Sequence, residues 1–195
     1  TLTGAPVVVP TATLKGGAGT DTLAMSATSA AALDGATTFA AKLDSFERLT
    51  INDAGAGETI LLDNLGFQDY VTVSGGTLTL DNLAANATVV MSAAATSLTA
   101  ILEDASGDAD VLNAVISNTA GINVGDLVVN DVETVNLTVT DTTTAAIGTH
   151  TLNFDADTAT TLNISGNAGL NLTLDANTTL LATIDASGMT GSLNV

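Results

Sequence analysis

The run Gly16, Gly17, Ala18, Gly19, Thr20, Asp21, Thr22, Leu23, Ala24 fits the spacing G-G-x-G-x-D-x-U-x, where U is a large apolar residue. Each residue type has a physical task. Glycines let a tight turn present its carbonyl oxygens to a cation, aspartate adds a hard anionic ligand, and the leucine two places on buries itself in a short strand. The chemistry is oxygen-only coordination of calcium, with six to eight ligands at roughly 2.3–2.6 Å. One such run supplies half a site, because in a stacked roll the ion is shared between neighbouring turns. Taken alone it reads equally as a Gly-rich β-turn carrying a solvated Asp21. A second run, from Asp104 through Gly107, Asp108 and Asp110 to Leu112, offers Asp108 or Asp110 together with Asp104 for the same chemistry. The candidate metal ligands are therefore Gly17 and Gly19 through carbonyls, and Asp21, Asp104, Asp108 and Asp110 through carboxylates.

Composition favours the ion. The chain of 195 residues has 21 acidic and 3 basic residues, a formal charge of −18, and yet 46% hydrophobic residues and a mean hydropathy of +0.43. Such a chain folds against strong self-repulsion rather than remaining an acidic disordered tail. Most acids are Asp beside Gly, Asn, Ser or Ala at the ends of apolar runs, where turn oxygens gather around a hard cation. For any single Asp, the plainer account is solubility.

Several function classes are excluded. Lys15, Lys42 and Arg48 make no basic patch for phosphates, and 3% aromatic residues give no stacking platform, so nucleic acid and anionic membranes are not partners. No apolar run reaches the roughly 18 residues of a membrane-spanning helix, and the first residues lack a secretory leader pattern. Cysteine is absent, which removes thiolate metal sites and cysteine nucleophiles and suits a secreted protein stabilised by metal rather than disulfides. The single histidine, His150, lies between Thr149 and Thr151 without a nucleophile signature and is expected on the surface. Carboxylates abound, but Tyr70 and four phenylalanines supply few sugar platforms, so no catalytic residue is assigned and an enzyme is not expected.

The chain resembles itself. Phe46-Glu47-Arg48-Leu49-Thr50-Ile51 matches Val132-Glu133-Thr134-Val135-Asn136-Leu137, with the glutamates 86 positions apart. Gly19 and Gly107 lie 88 apart, and Leu78 to Asp81 corresponds to Leu172 to Asp175 at 94. The drift marks loop insertions in a degenerate structural repeat. A third copy, Asp185-Ala186-Ser187-Gly188, begins near the end and carries Gly191 at the acidic position. This organisation gives a lead-in at 1–12, one β repeat at 13–100, a second at 101–184 and the start of a third at 185–195, as in a segment of a longer array.

Period-2 alternation predicts strands over 58–63, 70–73, 78–80, 111–116, 127–129, 135–139, 162–164, 170–174, 180–184 and 193–195. Their spacing suits either a sandwich or the faces of a parallel β-helix. Thr and Asn between buried leucines favour the solenoid, where like polar side chains stack in ladders, with Leu162, Leu172, Leu174 and Ile184 inside. Residues 24–43 are alanine-rich, with Ser26 as an N-cap and Leu33, Phe39, Ala40 and Leu43 at helical spacing, which predicts a short helix or helical turn, while Gly35 and the threonines argue against a long one. Pro6 and Pro10 make 7–9 an edge strand or extended lead-in. The five Asn-x-Ser/Thr sequences, at Asn86, Asn136, Asn163, Asn171 and Asn177, fall partly in strand patterns and are read as chance.

The run at Gly16 to Ala24, the variant Gly107-Asp108-Ala109-Asp110-Val111-Leu112-Asn113, the strand Val132 to Thr138 and the cysteine-free Ala/Thr/Asn/Gly composition together resemble RTX-type bacterial surface-layer (S-layer) proteins, the calcium-dependent lattice proteins of Caulobacter and related proteobacteria. The resemblance implies β-solenoid modules, type I secretion, calcium-driven assembly of like subunits into a two-dimensional lattice, and anchoring to cell-surface lipopolysaccharide by a separate domain. Tandem nonapeptides are missing, so ions are expected in scattered loops. The expectation is an extracellular structural protein with calcium as its cofactor. The alternative is a repeat module of a large calcium-dependent RTX adhesin, motivated by the threonines at Thr77/Thr79 and Thr138/Thr140, and a third reading is an accessory module of a secreted hydrolase or epimerase.

Overall fold

Short runs in which every second residue is apolar, broken by Gly, Asn, Asp and Ser, bury one face only by stacking against a like run. The computed structural model, which describes residues 8–143 and 147–195, shows how they do so. The chain passes through β1 (Leu14–Lys15), β2 (Thr22–Met25), helix α1 (Ala27–Asp34), a 3₁₀ turn at Ala40–Lys42, β3 (Leu43–Asp44), β4 (Arg48–Ile51), β5 (Gly55–Leu61) and the single-turn helix α2 (Leu62–Leu65). Next come β6 (Tyr70–Val73), β7 (Gly76–Leu83), β8 (Thr88–Met91), β9 (Ala95–Leu102), β10 (Val111–Asn118) and β11 (Asn123–Val129). The last are β12 (Thr134–Asp141), β13 (Thr149–Asp155), β14 (Thr161–Gly166), β15 (Gly169–Leu174), β16 (Thr183–Met189) and β17 (Leu193–Asn194).

The even-numbered strands β2 to β16 form an eight-stranded sheet, the odd-numbered strands β5 to β17 a seven-stranded one, and β1 pairs with β3. Their pairings are parallel throughout. From β4 onward each even strand feeds the following odd strand in the opposite sheet, so the chain winds through about seven turns of a parallel β-solenoid. An earlier turn uses α1 where a strand of the second sheet would lie, and α1 packs against that sheet's first strand, β5. The expected all-β solenoid is thus the fold. Both sheets run through the expected repeat boundary at 100/101, which falls within β9.

The interior is a set of aliphatic columns. Leu23, Leu49, Val71, Val89, Ala114, Leu137 and Ile164 stack in register in the first sheet, 18 to 27 positions apart. Leu78, Leu98, Leu127, Phe154 and Leu174 do so in the second. Nearly all are fully enclosed, each contributing roughly 1.5–3 kcal/mol of hydrophobic stabilisation. Leu162 and Leu172 lie inside as expected, while Leu174 and Ile184, in the last turns, are half-buried.

Outside, the expected polar ladder is present. Asn136 Nδ2 donates to Asn113 Oδ1 at 3.0 Å, Asn163 Nδ2 donates to Asn136 Oδ1 at 2.9 Å, and Asn113 Nδ2 closes the row on the Asn86 carbonyl at 2.8 Å. An amide carries donor and acceptor at one end, so each can satisfy the turns before and after it.

Two local expectations need correction and a third is narrowed. Ser26 does cap α1, accepting from Ser29 N at 3.1 Å, but the helix ends at Asp34. Of the four residues assigned helical spacing only Leu33 lies in it; Phe39 is buried before the 3₁₀ turn, Ala40 begins that turn and Leu43 is in β3. The strand expected at 180–184 starts instead at Thr183, with Leu180 57% exposed, because Thr178 and Thr179 make turn bonds to Asp175 and Asn177 that hold Leu180 off the sheet. Of the two alternatives for 7–9, the edge strand is absent at Val8 and Val9, which leaves them in the lead-in, and residues 6 and 7 of the same expectation lie outside the described residues.

Candidate functional site

The residues immediately before strands β2, β4, β6, β10 and β12 are Asp21, Glu47, Asp69, Asp110 and Glu133. The solenoid turns a corner there, and a corner exposes backbone N–H groups that need acceptors. At two places an acid of one turn meets the acid of the next. Asp21 N donates to Glu47 Oε2 at 2.7 Å, and Asp110 N donates to Glu133 Oε2 at 2.8 Å. The carbonyls return the contact: Glu47 N and Arg48 N donate to Asp21 O at 3.1 Å each, and Thr134 N donates to Asp110 O at 3.0 Å. In both pairs the aspartate Oδ2 is enclosed and has no hydrogen-bond partner among the described residues.

The glycine-rich run folds around the first pair. Gly17 and Gly19 adopt φ of +111° and +114°, the region an L side chain avoids, and open space surrounds both. Gly16 is required for a different reason, since a Cβ there would collide with the Ser45 carbonyl oxygen and lie 2.7 Å from Asp21 Cβ. The nonapeptide loop and the 44–47 segment of the next turn are therefore in direct contact. Gly16 N donates to Asp44 O at 2.9 Å across the same junction.

The second run behaves otherwise. Asp104 is exposed, and its Oδ1 accepts from Ser106 Oγ at 2.7 Å and Ser106 N at 3.1 Å. Those bonds hold its carboxyl below the usual carboxylate range. Asp185, in the copy Asp185-Ala186-Ser187-Gly188, makes the same bond to Ser187 N at 2.9 Å, so this sequence echo encodes a local turn. Asp108 is exposed. Asp110 sits under the loop: a methyl group added to Gly107 would lie 3.2 Å from Asp110 Oδ2. The structure thus joins Asp110 to Glu133, while Asp104 is engaged in its own turn.

Glu47 and Glu133 are the members that ligand-pattern reasoning missed. The signal was present, because these two glutamates anchor the internal repeat and each stands one turn after a candidate aspartate. Among the described residues, no three acidic or histidine side chains converge so as to hold a metal by side chains alone. Each corner thus joins an aspartate to a glutamate of the next turn, and the aspartate Oδ2 lacks a partner among the described residues.

His150 is the one clear reversal. It is fully buried rather than on the surface, because Thr149 and Thr151 face outward and period-2 alternation turns His150 inward with Leu152 and Phe154. A surface depression of about 530 Å³ is lined by Asn130, Asp155, Asp157, Asn177, Thr179 and Leu180, with Asn177 Nδ2 donating to Asp155 Oδ1 at 3.3 Å. No helix among the described residues is long and apolar enough to cross a membrane.

No protein-family model matches the chain, and a search of curated proteins finds no relative.

Proposed function

We propose that this chain is a calcium-stabilised structural segment of a bacterial surface layer, assembling with like subunits into a two-dimensional lattice outside the cell. It has no catalytic role and is held to lipopolysaccharide through another part of the molecule. The observation that carries the reading is the recurrence of an aspartate–glutamate corner between adjacent turns, at Asp21/Glu47 and Asp110/Glu133, each with an enclosed aspartate oxygen lacking a partner. In a chain of charge −18, a divalent ion at such corners supplies both the missing contact and the relief of repulsion. Calcium bound only by ordered corners stabilises the folded array by mass action. Between subunits, acidic faces repel unless a shared cation lies between them.

A repeat module of a calcium-dependent adhesin is the second reading. It is favoured by aligned outward threonines, Thr59, Thr79 and Thr99 on the second sheet and Thr50 and Thr72 on the first, which make a regular hydroxyl face. One experiment separates the two: calcium is titrated into the purified protein while melting and particle size are followed together. The surface-layer reading expects a higher melting temperature and growing ordered particles at millimolar calcium. Calcium stabilisation without assembly favours the adhesin, and identical melting in calcium and in excess chelator rejects the ion in both.

A further inference from the structure

Among the buried polar groups, His150 is the chain's only histidine and is 0% exposed. Its Nδ1 accepts a hydrogen bond from Ile122 N at 3.2 Å. The neutral ring must then carry its hydrogen on Nε2, which is enclosed without a hydrogen-bond partner among the described residues. Ile122 belongs to the loop before β11 and His150 to the next turn, in β13.

The surroundings make this bond a fastener. Thr151 N donates to the Ile122 carbonyl at 2.9 Å, and Thr142 N donates to the Asn118 carbonyl at 2.9 Å, so the loop between β10 and β11 is clipped at both ends to the turn that follows. Gly121 is pressed against that turn so closely that a Cβ would strike the Thr149 backbone, and a Cβ on Gly148 would strike the Gly121 backbone. The entry to β13 is itself fixed by Asp141, 2% exposed, whose carboxylate accepts from Thr143 N and Thr143 Oγ1 at 2.8 Å and from Gly148 N at 2.6 Å.

We propose that His150 is an acid-sensitive latch between the β10–β11 turn and the β12–β13 turn, closed while the imidazole is neutral and opened when it gains a proton. A second proton on the ring goes to Nδ1, the atom that accepts from Ile122. Donor then faces donor in an enclosed space, and the 119–122 loop is released.

The charged neighbours are few. Asp141 is the charged group that acts on the ring, and it favours the cation, as does a backbone bond to Thr140. On β11 the only ionisable residue is Asp126, which is held by Asn153 Nδ2 at 2.9 Å on the outer face. Neither β15 nor the segments 119–125 and 142–149 contain an ionisable residue besides those of β13 itself. Burial outweighs both Asp141 and the Thr140 backbone bond, so the ring is harder to protonate than an ordinary histidine. The sign follows: with a folded value below the unfolded 6.5, the contribution is complete above about pH 6.5 and is lost as pH falls below it.

The test uses the whole 195-residue chain at constant calcium. With one histidine, imidazole ¹⁵N signals need no assignment variants. The native ring should show the Nε2–H tautomer and titrate below 6.5, with amide exchange at Ile122 accelerating over the same pH range. His150→Asn places Oδ1 where Nδ1 accepts and cannot titrate. Relative to it, the native folding equilibrium constant should fall by up to about 30-fold between pH 7.5 and pH 5. Parallel pH dependence in both proteins overturns the latch. Should the variant not fold, a native ring titrating at or above 6.5, or Ile122 exchange unchanged through the titration, overturns it equally.

Discussion

Replacing Glu133 by Gln separates the two tasks assigned to the corner acids. Glutamine keeps an oxygen within reach of the Asp110 N–H, 2.8 Å from Glu133 Oε2 in the native chain, and removes the charge. In chelator two effects oppose each other. A hydrogen bond to a charged acceptor contributes about 1.5–3 kcal/mol against about 1 kcal/mol for a neutral one, so about 1 kcal/mol is lost. Removing one of two neighbouring carboxylates returns a few tenths to about 1 kcal/mol, the size of interactions between partly exposed charges. Stability without calcium should therefore change by less than about 1 kcal/mol. With calcium the two tasks part company. A site of Kd about 10⁻³ M at 10 mM calcium adds about 1.4 kcal/mol to folding, and a tenfold loss of affinity on neutralising one ligand reduces that to about 0.4 kcal/mol. Urea unfolding of native protein, Glu133→Gln and Glu103→Gln, each in calcium and in chelator, reads the increment directly. Glu103 is a fair control because it is exposed, bonded to Gln68 Nε2 at 2.8 Å, and makes no hydrogen bond to Asp110 or Glu133. If Glu133→Gln keeps the native calcium increment, the corner acids are acceptors only and the ion is not there.

Two further outcomes are expected. Asn136→Ala removes both ladder bonds, at 3.0 and 2.9 Å, and leaves Asn113 and Asn163 each short of a partner, so denaturant unfolding should show a loss of about 1–3 kcal/mol; a change below about 0.5 kcal/mol would mean water replaces the ladder freely. Asp34 lies 7% exposed at the C-terminal end of α1, where burial first and the nearby Asp63 charge after it push its carboxyl above the ordinary 3.8, despite bonds from Leu61 N and Gly35 N. For an acid raised on folding, the favourable contribution is complete below 3.8 and is lost as pH rises through the folded value. Asp34→Asn should thus be more stable than the native chain at pH 7, with the gain shrinking to nothing near pH 3; a gain independent of pH would contradict the assignment.

The alternation of apolar residues was enough to read strands, with β6 on the expected limits, Tyr70–Val73, while the Thr and Asn between buried leucines turned the reading from a sandwich to a solenoid. Stacking order was not readable, for a physical reason. Turns of 18 to 27 residues leave no fixed period, so pattern matching found the likeness over 86 positions and passed over the single turn. That likeness joins Leu49 to Val135, whereas the strand registers carry Leu49 through Val71, Val89 and Ala114 to Leu137. What repeats at 86 positions is the corner glutamate rather than the register. His150 was misplaced because its chemistry was weighed before its position: Thr149, Thr151 and Asn153 outward and His150, Leu152 and Phe154 inward is an ordinary strand pattern.

The acidity itself follows from the way the turns are fastened. Ala27 N donates to Asp53 Oδ1 at 2.7 Å, Asp21 N to Glu47, Asp110 N to Glu133, and Asp131 N to Asp157 Oδ1 at 3.4 Å, in each case one turn ahead. Asp141 N is served in the same manner by Asn167 Oδ1 at 2.9 Å, so an amide can do this work without charge. Carboxylates are the stronger acceptors, and a solenoid that uses them turn after turn gathers negative charge along its corners. Ion pairs do not balance it. The salt bridge between Lys15 and Asp44 spans 3.8 Å with both side chains more than half exposed, and pairs of that kind contribute little. All three basic residues precede position 50, so the corners beyond it carry their charge uncompensated by the chain. The carboxylates that fasten each turn to the next are thus also the source of the repulsion between turns.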